Sequence, residues 1–233
     1  SNRLSTLNFH HFDNLQSLFE HICKETAIGL NIDRVSIWEN TEEKITLENI
    51  YVQHEDKHYA DLTLNKNDFK NYFQAIAKDP LVIASDVYQN NDLIDFAHEY
   101  FPKYNIKSLL DIPIYISGKL KAILCLEATN EIKYWSTEDI NFAKTIGDII
   151  ALTIETTKRR RAESQIVYKN EILTAIANVT SNLLVHKDKN QIFDTSIEQI
   201  GKVLKVDRLY YFENDSKTNL VSQRFEWVSE TDL

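Results

Sequence analysis

Apolar residues recur every three or four positions early in the chain, which predicts a helix over residues 12–30. Its apolar stripe consists of Leu15, Leu18, Phe19, Ile22 and Cys23. In residues 34–39 and 44–53, apolar and polar side chains alternate, so we interpret these runs as two strands joined by a polar turn. The pattern therefore predicts the order helix, strand, strand.

The middle of the chain predicts further helices and strands. Residues 67–78 and 91–100 have helical spacing, and Pro80 and Pro102 mark their ends, because the residue before a proline avoids helical geometry. A short apolar strand at residues 81–84 separates these two helices.

Two longer strands, residues 108–116 and 119–128, flank a Ser-Gly dipeptide that suits a tight hairpin turn. Along the first strand, Asp111 and Tyr115 point to the face opposite its alternating apolar residues. The second strand is apolar on both faces. This pattern predicts a sheet covered by helices on both sides.

From Thr137 to residue 184 the spacing is helical and contains no proline. A continuous helix of about 50 residues would extend about 75 Å at 1.5 Å per residue, so we interpret it as a connector. Its first apolar positions alternate between spacings of three and four, which is typical of paired helices and predicts a homodimer through Ile140, Ala143, Gly147, Ile150 and Ile154. After a basic cluster the pattern resumes at Ile166, Leu173 and Ile176.

One segment of the sequence occurs twice. LFEHICKETAIGLNIDRVSIWEN (18–40) aligns without gaps with IFDTSIEQIGKVLKVDRLYYFEN (192–214), and both contain Asp-Arg before a strand that ends in Glu-Asn. A further strand is predicted at residues 220–228. We therefore predict a complete domain over residues 1–157, a connecting helix over 158–188 and the N-terminal part of a second copy over 189–233.

These elements resemble a GAF domain. The resemblance includes the Asp-Arg entry to the first strand, SLLDIPIYISGKLKAILCLE and WSTEDINFAKTIGDIIALTIE. The positions that match the family's motifs are Ser108, Pro113, Gly118, Ala122, Trp135, Thr137 and Asp139. The resemblance implies an α+β fold in which a five- or six-stranded antiparallel sheet lies between helices, followed here by the long helix and a partial second copy.

The resemblance also implies a function. By this resemblance the chain is expected to be an input module of a bacterial signalling protein. In such modules the terminal helices pair, and a pocket on the other face of the sheet binds a small regulator. This reading implies relay through a dimeric helix to a covalently linked effector outside these 233 residues. Two alternatives stay open: a non-sensing dimerisation spacer, and an enzyme similar to free-methionine-sulfoxide reductases.

The candidate ligand-binding residues combine polar anchors with aromatic walls, as small-molecule pockets do. On the sheet face away from the terminal helices and in the loop after the third strand, they are Ser85, Asp86, Tyr88, Asn91, Asp111 and Tyr115. Trp38 and Tyr51, on the first two strands, either complete the wall of the pocket or fill the core. The sequence assigns no particular ligand or cofactor to them. It departs from the cyclic-nucleotide signature of the family, because Phe73-Gln74 stands where an acidic pair is expected.

Charge and composition limit the kinds of partner that the chain is expected to bind. The net charge of −9 argues against nucleic acid, and no run approaches the roughly 20 apolar residues that cross a bilayer. Cys23 and Cys125 lie in apolar surroundings, which indicates reduced core thiols, a cytoplasmic protein, and neither a bilin-linking nor a catalytic cysteine. His54 and His58 follow a strand in a polar stretch, so we interpret them as solvated rather than metal-binding.

Overall fold

A computed structural model describes residues 14–185 and 189–229, and the chain divides into two compact units, Ser1–Thr157 and Lys158–Leu233. The first unit contains, in chain order, α1 (Leu15–Leu30), β1 (Arg34–Asn40), β2 (Lys44–Val52), β3 (Lys57–Tyr59), β4 (Thr63–Asn65), α2 (Lys70–Lys78), β5 (Val82–Ala84), α3 (Tyr100–Tyr104), β6 (Ile106–Ile116), β7 (Lys119–Thr129) and the start of α4 (Thr137–Val185). Short 3-10 turns lie at Lys66–Asp68, Val87–Gln89 and Asn91–Phe96.

The seven strands form one sheet in the order β3-β2-β1-β7-β6-β5, and β4 also pairs with β2. Every pairing is antiparallel, as the sequence predicts. The strand count exceeds the predicted five or six because the stretch after β2 folds back twice onto the edge of that strand. The β6–β7 turn has φ values of 52° at Ser117 and 74° at Gly118, which is the left-handed geometry that a tight hairpin requires.

Both faces of the sheet are covered, as the two-sided apolar pattern of β7 predicts. Helices α1 and α4 bury one face in a cluster that includes Phe19, Ile22, Leu124 and Ile146. On the other face, α2, α3 and the 3-10 turns cover a second cluster that includes Ile76, Leu93, Phe101 and Ile123. Consecutive residues of the central strands therefore contact different helical layers.

The predicted helix over residues 91–100 is wrong in detail. Asn91–Phe96 is a 3-10 turn, and the following helix α3 contains Pro102 rather than ending before it. Pro102 lies in the first turn of α3, where a backbone N–H has no helical acceptor and a proline costs nothing in hydrogen bonding.

The predicted dimer surface is also wrong at the residues that define it. Ala143 and Ile150 are fully buried in the α1–α4 side of the core, and Ile140 and Ile154 pack against the same cluster. Gly147 lies against Ile112 of β6. A spacing of three and four is equally suited to packing on a sheet, so it could not identify the partner surface. Homodimerisation stays a prediction, and Ile166, Leu173 and Ile176 are exposed apolar residues of α4.

Substituting two helical glycines should have opposite effects on stability. A Cβ at Gly147 would lie 2.9 Å from Ile112 Cγ2, which is closer than side chains tolerate, whereas a Cβ at Gly29 would lie 3.5 Å from the nearest atom of Phe142. We expect Gly147→Ala to lower the free energy of unfolding by about 1–2 kcal/mol through overpacking. Gly29→Ala should raise it by about 0.5–1 kcal/mol through helix propensity.

Urea denaturation of both variants beside the unsubstituted chain measures the two effects. Because each variant adds the same methyl group to a helix, Gly29→Ala is the control for propensity. Stabilisation by Gly147→Ala equal to that by Gly29→Ala would contradict the close α4–β6 contact.

The second unit repeats the start of the first in its backbone. Helix α5 (Lys189–Leu204) has the bounds of α1 shifted by 174 residues, and β8 (Arg208–Asp215) begins where the same shift places β1. The strand β9 (Leu220–Val228) pairs with β8, and a register shift follows Tyr211 as one follows Ile37 in β1. The repeat is therefore structural as well as sequential. That it is the first part of a second copy of the same domain stays a prediction.

Candidate functional site

A cavity lies beneath α2 and α3, on the sheet face opposite α1 and α4. Its volume is about 30 Å³, measured as the space open to the centre of a water-sized sphere. One water needs roughly 10–15 Å³ of such space, so the cavity has room for about two. We call it the Asp111 cavity; its walls are Trp38, Ile45, Leu64, Tyr72, Phe96, Tyr100, Phe101, Leu109, Asp111, Ile123, Cys125 and Glu127.

Asp111 is the buried acid of this cavity. It pairs with Val82 of β5 and Cys125 of β7, so it lies inside the sheet, and its side-chain face follows from the alternation along β6. Only 1% of the residue is exposed. Its Oδ2 accepts a hydrogen bond of 2.5 Å from the Tyr72 hydroxyl, whereas Oδ1 has no hydrogen-bond partner among the residues that the structure describes.

The electrostatics of Asp111 reflect that burial. Desolvation raises the pKa of its carboxyl to about 7, against the opposing effects of the hydrogen bond from Tyr72 and of the nearby Cys125 thiol, which lies outside hydrogen-bonding geometry with Oδ1. Burial also raises the pKa values of the Tyr72 hydroxyl and the Cys125 thiol well above their ordinary ranges. Near neutral pH both groups are therefore protonated, and Asp111 is poised between its neutral and ionised forms.

The second acid of the cavity, Glu127, is neutralised by a buried partner. Arg34 Nε donates to Glu127 Oε2 over 2.8 Å, and the exposed side-chain fractions are 11% and 4%. The guanidinium also donates to the Tyr100 hydroxyl over 3.4 Å and lies 4.3 Å from the centre of the Tyr104 ring. Among the residues that the structure describes, the ion pair leaves Asp111 as the cavity carboxylate without a cation.

Aromatic side chains hold the rest of the cavity in place. The Asp95 carboxylate accepts from the backbone N–H groups of Asn71 and Tyr72 at the start of α2, which fixes the helix turn that carries the Tyr72 ring. Phe96 packs edge-on against Tyr72 with 5.1 Å between ring centres. On the opposite wall, Trp38 Nε1 donates to Ser36 Oγ over 3.0 Å.

The cavity brings together two of the predicted ligand-binding residues, Trp38 and Asp111. Tyr51 lies on the other sheet face, in the α1–α4 core, where its hydroxyl donates to Asp56. The assignment of Tyr51 to the ligand-binding residues is therefore corrected: a register shift within the β1–β2 pair reverses the alternation along β2, and Tyr51 fills the core on the other face.

The other five predicted residues lie outside the cavity walls. The Ser85 carbonyl accepts from Ser108 Oγ, and the Asp86 carboxylate accepts from the Tyr88 N–H over 3.0 Å, so both shape a turn. Tyr88 and Asn91 are exposed. The Tyr115 hydroxyl donates to the Ile76 carbonyl over 3.1 Å and anchors the end of α2.

The sequence reasoning missed Tyr72, Cys125 and Glu127 as cavity residues. Cys125 is buried, as predicted for a core thiol, but it faces the cavity beside Asp111. Cys23 lies in the cluster on the opposite face of the sheet, where burial raises its pKa to about 12. Two thiols on opposite faces, both protonated near neutral pH, do not provide the activated thiolate and resolving partner of a redox enzyme.

The structure shows where His58, one of the two histidines considered as metal ligands, lies. His58 belongs to β3 rather than to a loop, and its ring lies 3.1 Å from Asn49 Oδ1. Within residues 14–185 and 189–229, no group of three or more His, Cys, Asp or Glu side chains is arranged to hold a metal ion. In the same residues, no helix is long and apolar enough to cross a bilayer.

Several known proteins are similar to this chain. It is 31% identical over 82 residues to the methanogenesis regulatory histidine kinase FilI of Methanothrix harundinacea, a match that covers 34% of this chain and 9% of that protein. The chain therefore spans only a small part of that relative.

Solved structures share the fold. The blue-light absorbing form of the Thermosynechococcus elongatus PixJ GAF domain matches with a TM-score of 0.55 and 17% identity, covering 65% of this chain and 90% of that one. A phycocyanobilin-bound GAF domain from a cyanobacterial phytochrome matches with a TM-score of 0.55 and 16% identity, covering 63% and 87%. The GAF domain family model matches residues 14–154, which contain the whole sheet, the cavity and the packed part of α4, and the chain belongs to the GAF domain family.

Proposed function

We propose that this chain is a sensory input module of a signal-transduction protein. A small molecule binds in the Asp111 cavity, and α4 carries the resulting change towards an effector outside these 233 residues. The observation that carries the proposal is Asp111, a buried carboxylate that lines the cavity and whose Oδ1 has no hydrogen-bond partner among the described residues. An unpaired buried acceptor costs free energy, and a hydrogen-bond donor on a bound molecule would offset that cost.

The strand β6 links the cavity to α4. Asp111 faces the cavity, while its neighbour Ile112 packs in the other cluster against the helix backbone at Gly147. A ligand that displaces β6 would therefore change the packing of α4 directly. Such coupling requires the ligand to bind two arrangements of β6 and α4 with different affinities.

The relatives support a regulatory role for the module and a histidine kinase as one class of effector. They do not make this chain a photoreceptor. A cavity of about 30 Å³ does not hold a tetrapyrrole, and Cys125 is a buried, protonated thiol within the sheet. The enzyme hypothesis is weakened by the same thiol chemistry. The spacer hypothesis is weakened by the unpaired carboxylate.

A small-molecule screen with two readouts tests the function. We expect compounds that enter the cavity to raise the melting temperature of the 233-residue chain, since a ligand that binds only the folded state stabilises it. The same compounds should change amide hydrogen exchange in β6 and in residues 143–150 of α4.

The control for this screen is Asp111→Asn, in which both responses should be lost. Ligands that raise the melting temperature through Asp111 but leave exchange in α4 unchanged would contradict the relay. The absence of any ligand that depends on Asp111 would contradict sensing in this cavity and favour the spacer.

A further inference from the structure

We propose that the ligand of the Asp111 cavity is a small protonated amine, of the size of ammonium or methylammonium. Its N–H donates to Asp111 Oδ1, and its positive charge lies among the aromatic rings. This assignment rests on the proposed function, and it adds the charge, the hydrogen-bonding role and the size of the ligand.

The hydrogen-bonding role follows from the unpaired oxygen. An ionised carboxylate only accepts hydrogen bonds, so the missing partner of Oδ1 is a donor. The nearest protein groups do not supply it: the Tyr72 hydroxyl is committed to Oδ2, and the Cys125 thiol opposite is a weak donor. The ligand must therefore carry an N–H or O–H that points at Asp111.

The charge follows from the cations and anions around the cavity. No lysine or arginine is among the residues that line it. Arg34, the nearest guanidinium on β1, is paired with Glu127 and stacked on Tyr104. One carboxylate of the cavity thus has no counter-ion within the described residues. An anionic ligand such as a carboxylate, a phosphate or a cyclic nucleotide would add a second negative charge to a buried one.

The walls favour the same conclusion. Five aromatic residues line the cavity: Trp38, Tyr72, Phe96, Tyr100 and Phe101. Aromatic faces attract cations, more strongly where water is excluded. A neutral donor such as an alcohol could satisfy Oδ1, but it would leave the carboxylate charge unneutralised. An amine satisfies the oxygen and the charge with one group.

The size follows from the volume. Space for about two waters is enough for ammonium or for a methylammonium ion, whose nitrogen would occupy the position near Asp111 and whose methyl group would meet the rings. Larger amines require the layer of α2 and α3 to move.

The probe for this assignment is methylammonium chloride, compared with sodium chloride and tetramethylammonium chloride at equal ionic strength, above pH 7, where Asp111 is ionised. Titration calorimetry of the 233-residue chain should show methylammonium binding, weakened about 10- to 100-fold by Asp111→Asn, the range expected for a lost charge-assisted hydrogen bond. The control Asp68→Asn removes an exposed carboxylate and should leave binding unchanged. Nuclear Overhauser contacts from the ligand methyl protons to the Trp38 or Tyr72 ring give a second readout that does not depend on a variant.

Three results would overturn the assignment, and they differ in what they leave standing. If tetramethylammonium, which has no N–H, binds with the same affinity as methylammonium, the proposed hydrogen bond to Oδ1 is contradicted. Binding of an anion or a neutral compound through Asp111, without binding of methylammonium, would contradict an amine as the ligand. It would not contradict the sensory function. If no compound binds in the cavity of either the unsubstituted chain or Asp111→Asn, both the amine assignment and the sensory function are contradicted.

Discussion

Replacing Arg34 by methionine should lower the free energy of unfolding of the first unit by about 3–5 kcal/mol near pH 7. Methionine keeps most of the apolar stem but removes the positive charge. Glu127, which is only 3% exposed in the sheet beside the Asp111 cavity, would then be a buried carboxylate without a cation. Removing one partner of a buried ion pair costs far more than the pair contributes, because the other charge keeps its desolvation penalty.

Arg34 makes three contacts that its replacement would remove. Its guanidinium contacts the Glu127 carboxylate, the Tyr100 hydroxyl and the face of the Tyr104 ring. Glu127 lies on β7, and Tyr100 and Tyr104 lie on α3, so the loss should loosen α3 as well as the β1–β7 pair.

Urea denaturation of Arg34→Met, Glu127→Gln and the double variant measures this coupling. The double variant should recover a large part of the loss, because neutral methionine and glutamine leave no buried charge. Lys44→Met, which removes an exposed charge at the start of β2, should stay within about 0.5 kcal/mol of the unsubstituted chain. A loss below about 1 kcal/mol for Arg34→Met would contradict the buried ion pair.

Arg34 also shows how far the sequence determines the fold. The repeated Asp-Arg pair marks the entry to a strand in both units, and local alternation is enough to predict β1 and β2. The second neighbour of β1, the strand β7, lies far along the chain: Arg34 pairs with a residue 93 positions away, and the Asp33 carboxylate accepts from the Thr129 N–H, 96 positions away. Periodicity reports which face of a strand is buried, but it holds no information about which strand lies beside it.

The sequence predicts a residue of the candidate site only where the polarity of that residue differs from that of its neighbours. Asp111 was identified because a carboxylate interrupts one face of an apolar strand. Asp86 has the same polar character in a loop, yet it caps a turn, and a side chain that caps a turn has the same sequence signature as one that binds a ligand. Tyr72 was missed because an aromatic residue on a helix is usually core, and only the fold brings its hydroxyl to Asp111.

Replacing Asp111 by asparagine should stabilise the ligand-free chain above neutral pH. Burial raises the pKa of this carboxyl to about 7, compared with about 3.9 in an unfolded chain. The folded state therefore disfavours the charged form, and a difference of about 3 pKa units corresponds to at most about 4 kcal/mol. Asparagine still accepts from Tyr72 and carries no charge, so most of this cost should disappear.

The sign of the pH dependence follows from the direction of that shift. Between about pH 4 and pH 7 the folded state holds the Asp111 proton while the unfolded state has lost it, so the stability of the unsubstituted chain falls as the pH rises through this window. The advantage of Asp111→Asn should accordingly shrink by about 2–3 kcal/mol between about pH 8.5 and about pH 5. The groups that face Asp111 are Tyr72 on α2 and Cys125 and Glu127 on β7, with Arg34 and Tyr100 behind them; all are present in both proteins.

Urea denaturation at about pH 8.5 and about pH 5, in a buffer free of amines, measures the prediction, and Asp68→Asn controls for the loss of one exposed negative charge. An advantage of Asp111→Asn that is absent at the higher pH, or equal at both, would contradict a carboxylate that is ionised without a partner. The expected gain has a functional meaning. A chain that would be more stable with asparagine keeps a charged acceptor at a cost, and that cost is recovered only when a cationic donor occupies the cavity. Adding methylammonium should therefore narrow the difference between the two proteins at the higher pH, since the ligand stabilises only the one that retains Asp111.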